Sequence, residues 1–366
     1  MVDYMKKIRW SFVFNTAVIV ICVSLILYFI FSDNGLRDLI RNPNKIAVGW
    51  LFAAFACHIG NAAIDSLVTW QLTRIKYKRF GLKNAVKIAV TGHFFSAVTP
   101  GGSGGQPMQI YSMRNMGVDV GFSTAMLIQK FLVYQITATL YAIVFFVLKS
   151  RFILAHIHGT IMILFVAVGF LSQIAIMVFL LLACFMPKLI KKIAAFFVYI
   201  LKKIRRRKNF DGLLKSMEEK IDVFYNSNKE FIKRPRVIIL SFAEICVQIT
   251  LIYSVPYFIY KALVPNGTDS ITMMICAMAF ITVISSMIPL PGASGVSELA
   301  FSVFFSVFFT QTTLKSAVLI WRAITYYFTI MLGAPFSVIN KKKHRGATYK
   351  EIMSGEENNS DDLKGA

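Results

Sequence analysis

Apolar runs of about twenty residues alternate with short basic segments along the chain, and this alternation predicts a bundle of membrane-spanning helices. Spans are expected at Trp10 to Phe31, Val48 to Leu72, Phe122 to Leu148, Ile161 to Phe185, Val237 to Tyr260, Ile271 to Ile288, Val296 to Phe309 and Ser316 to Val338. The first is too long for a signal-peptide core and lacks a small-residue cleavage site, so it reads as a retained helix. Between the second and third spans, Ala85 to Asn115 leaves a basic loop and ends beside Arg114. It must return to the side it entered, which predicts a re-entrant pair of half-helices broken at the run TPGGSGGQP, Thr99 to Pro107. A weaker echo, IPLPGASG at Ile288 to Gly295, precedes the short segment Val296 to Phe309, which reads as a half-helix or a steeply placed short span. Non-helical chain survives at membrane depth only where it is packed in protein or lines a polar cavity, so the two breaks mark the expected working site.

Composition agrees with this pattern. The chain is 56% apolar with mean hydropathy +0.62, as expected of an all-α polytopic membrane protein with about eight spans plus broken half-helices. A formal charge of +22 would by itself suggest nucleic acid. Its distribution argues otherwise, because Lys and Arg gather at the amino terminus (Lys6, Lys7, Arg9), in Arg74 to Lys87, at Arg114, in Lys188 to Arg236 and after Lys341, all on one expected side of the membrane. The positive-inside tendency makes that side cytoplasmic, with both termini there. No nucleic-acid partner is expected.

Domain organisation follows the same pattern: residues 1–340 form one membrane domain and residues 341–366 a polar tail expected to be disordered. Within the domain, 187–236 is a basic cytoplasmic linker joining two halves. In it Leu189, Ile190, Ile193, Phe196, Phe197, Ile200, Leu201 and Ile204 recur at helical spacing against Lys188, Lys191, Lys192, Lys202 and Lys203. A second helical pattern follows at Leu213, Leu214, Met217, Ile221, Phe224 and Tyr225, so the linker reads as an amphipathic hairpin on the membrane surface, or else as a plain topogenic loop.

Candidate chemistry concentrates at the breaks. A half-helix amino terminus offers unpaired N–H groups and a positive dipole end, which suits a lipid phosphate. In the first break the candidate headgroup-binding residues are Gly101, Gly102, Ser103, Gly104, Gly105, Gln106 and Pro107. There Ser103 caps the following helix with Gln106, or Pro107 occupies its first position. In the second break they are Pro291, Gly292, Ser294 and Gly295. Arg114, Arg322 and, four residues along the same helical face, Tyr326 complete the proposed cradle. Asp65, Glu244 and Glu298 are expected charge partners within spans. Asp65 reads as the partner of a basic neighbour or a kink cap, and the glutamates as proton carriers or static partners of Arg114 and Arg322. Lys130 reads as a snorkelling side chain or a site group. Cys22, Cys57, Cys184, Cys246 and Cys276 lack metal-ligand spacing and read as small buried hydrophobes. No P-loop, G-x-S-x-G elbow or H-E-x-x-H motif occurs, so neither a catalytic residue, a metal nor a cofactor is expected.

TPGGSGGQP with Arg114, PLPGASGVSE, and WRAITYY at Trp321 to Tyr327 resemble the lysylphosphatidylglycerol synthase transmembrane domain family, the flippase-like region of multiple peptide resistance factors. The likeness runs from about Trp10 to Ile339. It implies a lipid-translocating bundle with re-entrant helices that handles an anionic or aminoacylated phospholipid of the lysyl-phosphatidylglycerol type and helps bacteria resist cationic antimicrobial peptides. Full-length members carry a soluble aminoacyl-transferase domain, whereas 27 residues follow Ile339 here. The chain is therefore not expected to make lysyl-phosphatidylglycerol alone, even under the family label of phosphatidylglycerol lysyltransferase. Expected partners are phosphatidylglycerol, its lysyl ester or a polyprenyl phosphate, with a separate synthase and a second copy of the chain as further candidates. Alternatives are the membrane component of a split lysyltransferase and a small-solute secondary transporter.

Overall fold

The computed structural model describes residues 46–149, 160–204, 210–286 and 288–337; the expected span Trp10 to Phe31 and the tail from Lys341 lie outside the described residues. The described residues are helical with short connections. Helix α1 spans Val48–Arg74, α2 Leu82–Val98, α3 Gly105–Asn115, α4 Val120–Leu148, α5 Thr160–Phe185 and α6 Pro187–Ile204. Helix α7 spans Phe210–Ile232, α8 Pro235–Leu263, α9 Ile271–Ser285, α10 Val296–Phe305 and α11 Gln311–Arg322. A π-helical turn, Ala323–Tyr327, joins α11 to α12, Phe328–Ser337, without a break in the rod.

Among the described residues four rods are long and apolar enough to cross a membrane: α1, α4, α8 and Gln311–Phe336. In hydrocarbon the helix is favoured because it satisfies every backbone polar group within its own segment. Large apolar side chains point outward along these rods, as at Phe52, 70% exposed, and Ile239, 67% exposed, where water would penalise them and lipid does not. Helices α1 and α8 run antiparallel: Ala47 N donates to Ala262 O at one end (3.0 Å) and Gln71 Nε2 to Glu244 Oε1 at the other (2.6 Å). Inside, aromatic rings fill the interface of α9, α10 and α11, with Phe301 stacked between Phe305 (4.1 Å) and Trp321 (4.8 Å).

The expected half-helix pair is present as α2 and α3, separated by a single 3-10 turn at Pro100–Gly102. They lie close because Gly105 has no side chain; a Cβ there would come within 2.9 Å of Gly92 O. The second break also separates two short helices. Helix α9 ends at Ser285, before the expected Ile288, and α10 ends at Phe305.

The linker forms two helices, α6 and α7, paired through Lys191 Nζ and Asp222 Oδ1 at 2.6 Å. The second is a structural part of the bundle. Phe231 is fully buried against Phe122 of α4, and Asn228 bonds Gln129 of α4 and donates to Cys184 O of α5 at 2.9 Å.

Candidate functional site

A cavity of about 710 Å³ opens beside the first break, within the range of small-molecule sites. Its walls come from α1, α2, α3, α4, α8 and the last rod. Gly101, Gly102, Ser103 and Gln106 form the break side, as expected from the sequence. The backbone turns there through positive φ at Gly101 (59°) and Gly102 (68°), a region glycine enters without steric penalty. Ser103 does not cap α3. The N-cap of α3 is Gly104, which makes no side-chain cap bond, so α3 begins at Gly105 and Pro107 is its third residue. The expected Ser103–Gln106 cap is not formed; Thr99, in extended conformation, instead ties the turn together, its Oγ1 accepting from Gly104 N at 2.9 Å. Both Ser103 and Gln106 are left on the cavity wall, where the positive end of the α3 dipole favours an anion.

Opposite the break sits Lys130. It does not snorkel. Its side chain is 11% exposed, with Nζ 2.7 Å from Asp65 Oδ1 and donating to Thr69 Oγ1 at 2.8 Å. Asp65 is the hub of the wall: His93 Nε2 of α2 lies 3.4 Å from Oδ2, and Gln248 Nε2 of α8 donates to Oδ1 at 3.5 Å. Four helices thus converge on one buried carboxylate. His58 of α1 faces Thr329 of the last rod, Nε2 to Oγ1 3.1 Å, and both line the cavity. Burying a carboxylate without a cation would be unfavourable by several kcal/mol, and Lys130 at 2.7 Å offsets that cost.

The remaining candidates are placed elsewhere. Arg322 is buried and engaged by the second break: Nε lies 2.7 Å from Glu298 Oε1, and an Nη donates to Gly292 O at 3.0 Å and to Ser297 Oγ. Its guanidinium also stacks on Trp321 and on Tyr326, 5.3 Å from the latter ring, so the expected pairing of Arg322 with Tyr326 on one face is present. Tyr326 in turn donates to Ala97 O at 3.2 Å, tying the last rod to α2. Glu298 is the static partner of Arg322, and its Oε2 accepts from Gly295 N at 2.7 Å. Arg322 is therefore a clamp on the second break, holding Gly292 from within; Ser294 and Gly295 are exposed at its surface. Arg114 is exposed in the last turn of α3, at the end away from the break, where a cation complements the carbonyl dipole. Glu244 accepts from Gln71 rather than pairing with Arg114. The expected cradle of two arginines is thus not assembled; among the described residues lining the cavity, Lys130 is the lysine or arginine present.

Sequence reasoning missed His58, Asn61, His93, Gln109, Gln248, Thr325 and Thr329 as wall residues. A signal existed for part of the set: His58, Asn61 and Asp65 recur on one face of an otherwise apolar span. Among the described residues no group of three His, Cys, Asp or Glu side chains is placed to hold a metal ion, and Cys57, Cys184, Cys246 and Cys276 are free.

The family model of the lysylphosphatidylglycerol synthase TM region matches residues 14–333. The chain belongs to that family. It is also similar to a UPF0104 membrane protein of Archaeoglobus fulgidus, 23% identical over 271 residues, which cover 72% of this chain and 79% of that protein. The family match takes in both breaks, Asp65, Lys130 and Arg322.

Proposed function

We propose that this membrane protein is a flippase-like transporter that moves a phosphate-bearing lipid headgroup through the cavity beside the first break. The observation that carries the reading is the cavity of about 710 Å³ with Lys130, Asp65 and the α3 amino terminus on its walls, inside a bundle that carries large exposed apolar side chains. Such a lining shelters a headgroup while acyl chains remain in lipid. An aminoacylated phosphatidylglycerol is the favoured cargo, because it offers a phosphate to Lys130 and an ammonium to Asp65. The internal ion pair would then be replaced by two pairs with the lipid, which offsets the desolvation of both groups. In this reading the protein sits in a bacterial plasma membrane with both termini cytoplasmic and contributes to resistance against cationic antimicrobial peptides. The test is transfer of fluorescent phosphatidylglycerol, its lysyl ester and phosphatidylcholine across proteoliposomes. Faster transfer of the first two than of phosphatidylcholine supports the reading; equal rates for all three refute it.

A further inference from the structure

The two breaks share more than glycine. Pro100-Gly101-Gly102-Ser103-Gly104 returns 191 residues later as Pro291-Gly292-Ala293-Ser294-Gly295. The backbone returns with it: Thr99 and Leu290 have φ/ψ of −110°/148° and −107°/150°, and Gly101 and Gly292 have 59°/20° and 59°/18°. The spacing holds beyond the motif. The next helices begin at Gly105 and Val296, and those after them at Val120 and Gln311, again 191 apart. Their N-caps, Asp119 and Thr310, each accept from a backbone N–H three residues on, Phe122 and Thr313. Upstream, Arg74 and Leu263 end the long helices, and Leu82 and Ile271 begin the next, 189 apart in both cases. The two-residue difference is absorbed at the break.

Packing repeats as well. Helix α2 lies against the last rod, through Tyr326 with Ala97 and Gly333 beside Phe94. The corresponding pair, α9 and α4, meets through Phe280 with Phe146 and Cys276 with Phe145 O. Helices α1 and α8 pack on each other and the breaks meet, Gly101 lying beside Pro289. Each contact maps onto itself or its counterpart when the halves are exchanged. The direction is opposite. Tyr77 after α1, Asp119 before α4 and Phe231 before α8 cluster at one end of the bundle, through Tyr77 with Phe122 and Phe122 with Phe231. Helix α1 therefore ends where α8 begins, and the α2–α3 pair enters from that end while α9–α10 enters from the other.

We infer that residues 48–148 and 235–337 are an inverted duplication about an axis passing between the two breaks, and that the second half holds a closed counterpart of the cavity that takes the same headgroup class from the opposite face. In the second half Ser285 stands at the position of Ser96, a cavity residue. The Ser285 hydroxyl is buried there with no hydrogen-bond partner, a polar group that a filled vestibule would satisfy. The second break is shut by the Arg322 clamp, whereas the first stands open. Exchanging the two arrangements opens the second vestibule and closes the first, as in other transporters built from inverted repeats. The duplication stands on geometry alone; the alternating vestibules rest on the transport reading.

The test adds one cysteine at a time to the full-length chain and uses a membrane-impermeant maleimide on sealed vesicles of both orientations, with labelling of the native cysteines in the parent chain subtracted as background. Asn115→Cys and Ser306→Cys are exposed at the equivalent outer ends of α3 and α10. The expected result is labelling from opposite faces; labelling of both from one face overturns the duplication. Ser96→Cys is expected to react only from the Asn115 face and Ser285→Cys only from the Ser306 face. A Ser285→Cys that stays unreactive while Ser306→Cys reacts overturns the second vestibule. Lipid transfer is measured in the same vesicles, so opposite-face labelling without transfer refutes the lipid cargo and leaves the duplication intact.

Discussion

Alanine at the break glycines separates backbone strain from packing. Gly101 and Gly292 share φ 59°, so a Cβ at either adds about 1–2 kcal/mol for entering the left-handed region. Their surroundings differ. At Gly101 the nearest atom to a new Cβ is Pro289 Cα at 3.7 Å, an ordinary contact. At Gly292 the Cβ falls against the Tyr326 ring, 2.7 Å from Cδ2. That ring cannot swing aside freely, since its hydroxyl is bonded to Ala97 O and its face carries Arg322. Overpacking of this kind adds about 1–3 kcal/mol. Gly292→Ala is therefore expected to destabilise by about 2–5 kcal/mol in total, and Gly101→Ala by about 1–2. Gly102→Ala provides the control: its counterpart is Ala293, which holds φ 50° natively, and the nearest side-chain atom to a Cβ at Gly102 is 3.8 Å away. It is expected to be the mildest of the three. Equilibrium unfolding in mixed micelles reads all three. A Gly292→Ala no worse than Gly101→Ala would refute the packing argument, and a Gly102→Ala worse than both would refute the equivalence of the breaks.

Lys130→Met leaves Asp65 buried without its cation and is expected to destabilise by about 3–5 kcal/mol; adding Asp65→Asn should recover much of that loss, and strict additivity in the double-mutant cycle would show the pair to be uncoupled. Arg322→Lys keeps the charge but loses the fork that reaches Gly292 O and Ser297, so amide hydrogen exchange should rise at 292–298 and stay unchanged at 100–104; a uniform rise would contradict a local clamp. Phe231→Ala should destabilise the whole bundle by about 3–5 kcal/mol, because the ring is fully buried against α4; a change near zero would return α7 to the status of a surface linker.

The architecture was legible because hydrocarbon leaves few choices: a long apolar run such as Val120–Leu148 forms a helix, and a glycine-proline cluster inside one interrupts it. The break at Thr99 to Pro107 was readable for the same reason. The cavity wall was less so. Lys130 and Asp65 are 65 residues apart, and nothing local states that they meet or that Lys130 turns inward. Arg322 looked free because its acceptors, Gly292 O and Ser297 Oγ, lie on a segment that only the folded bundle brings beside it. Arg114 looked close to the break in sequence, yet α3 carries it to the far end of a rigid rod. Local pattern thus identified the elements and one wall of the cavity, while pairings across helices required the fold.

The central claim is that the cavity takes a phosphate-bearing headgroup. Its most direct test is the rate at which fluorescent phosphatidylglycerol and its lysyl ester cross proteoliposomes of the full-length protein, read by quenching of the outer leaflet. Transfer above that of protein-free vesicles, faster than for phosphatidylcholine and lost in Lys130→Met that still folds, is the predicted result. Rates equal to protein-free vesicles, or equal for all three lipids, would contradict it.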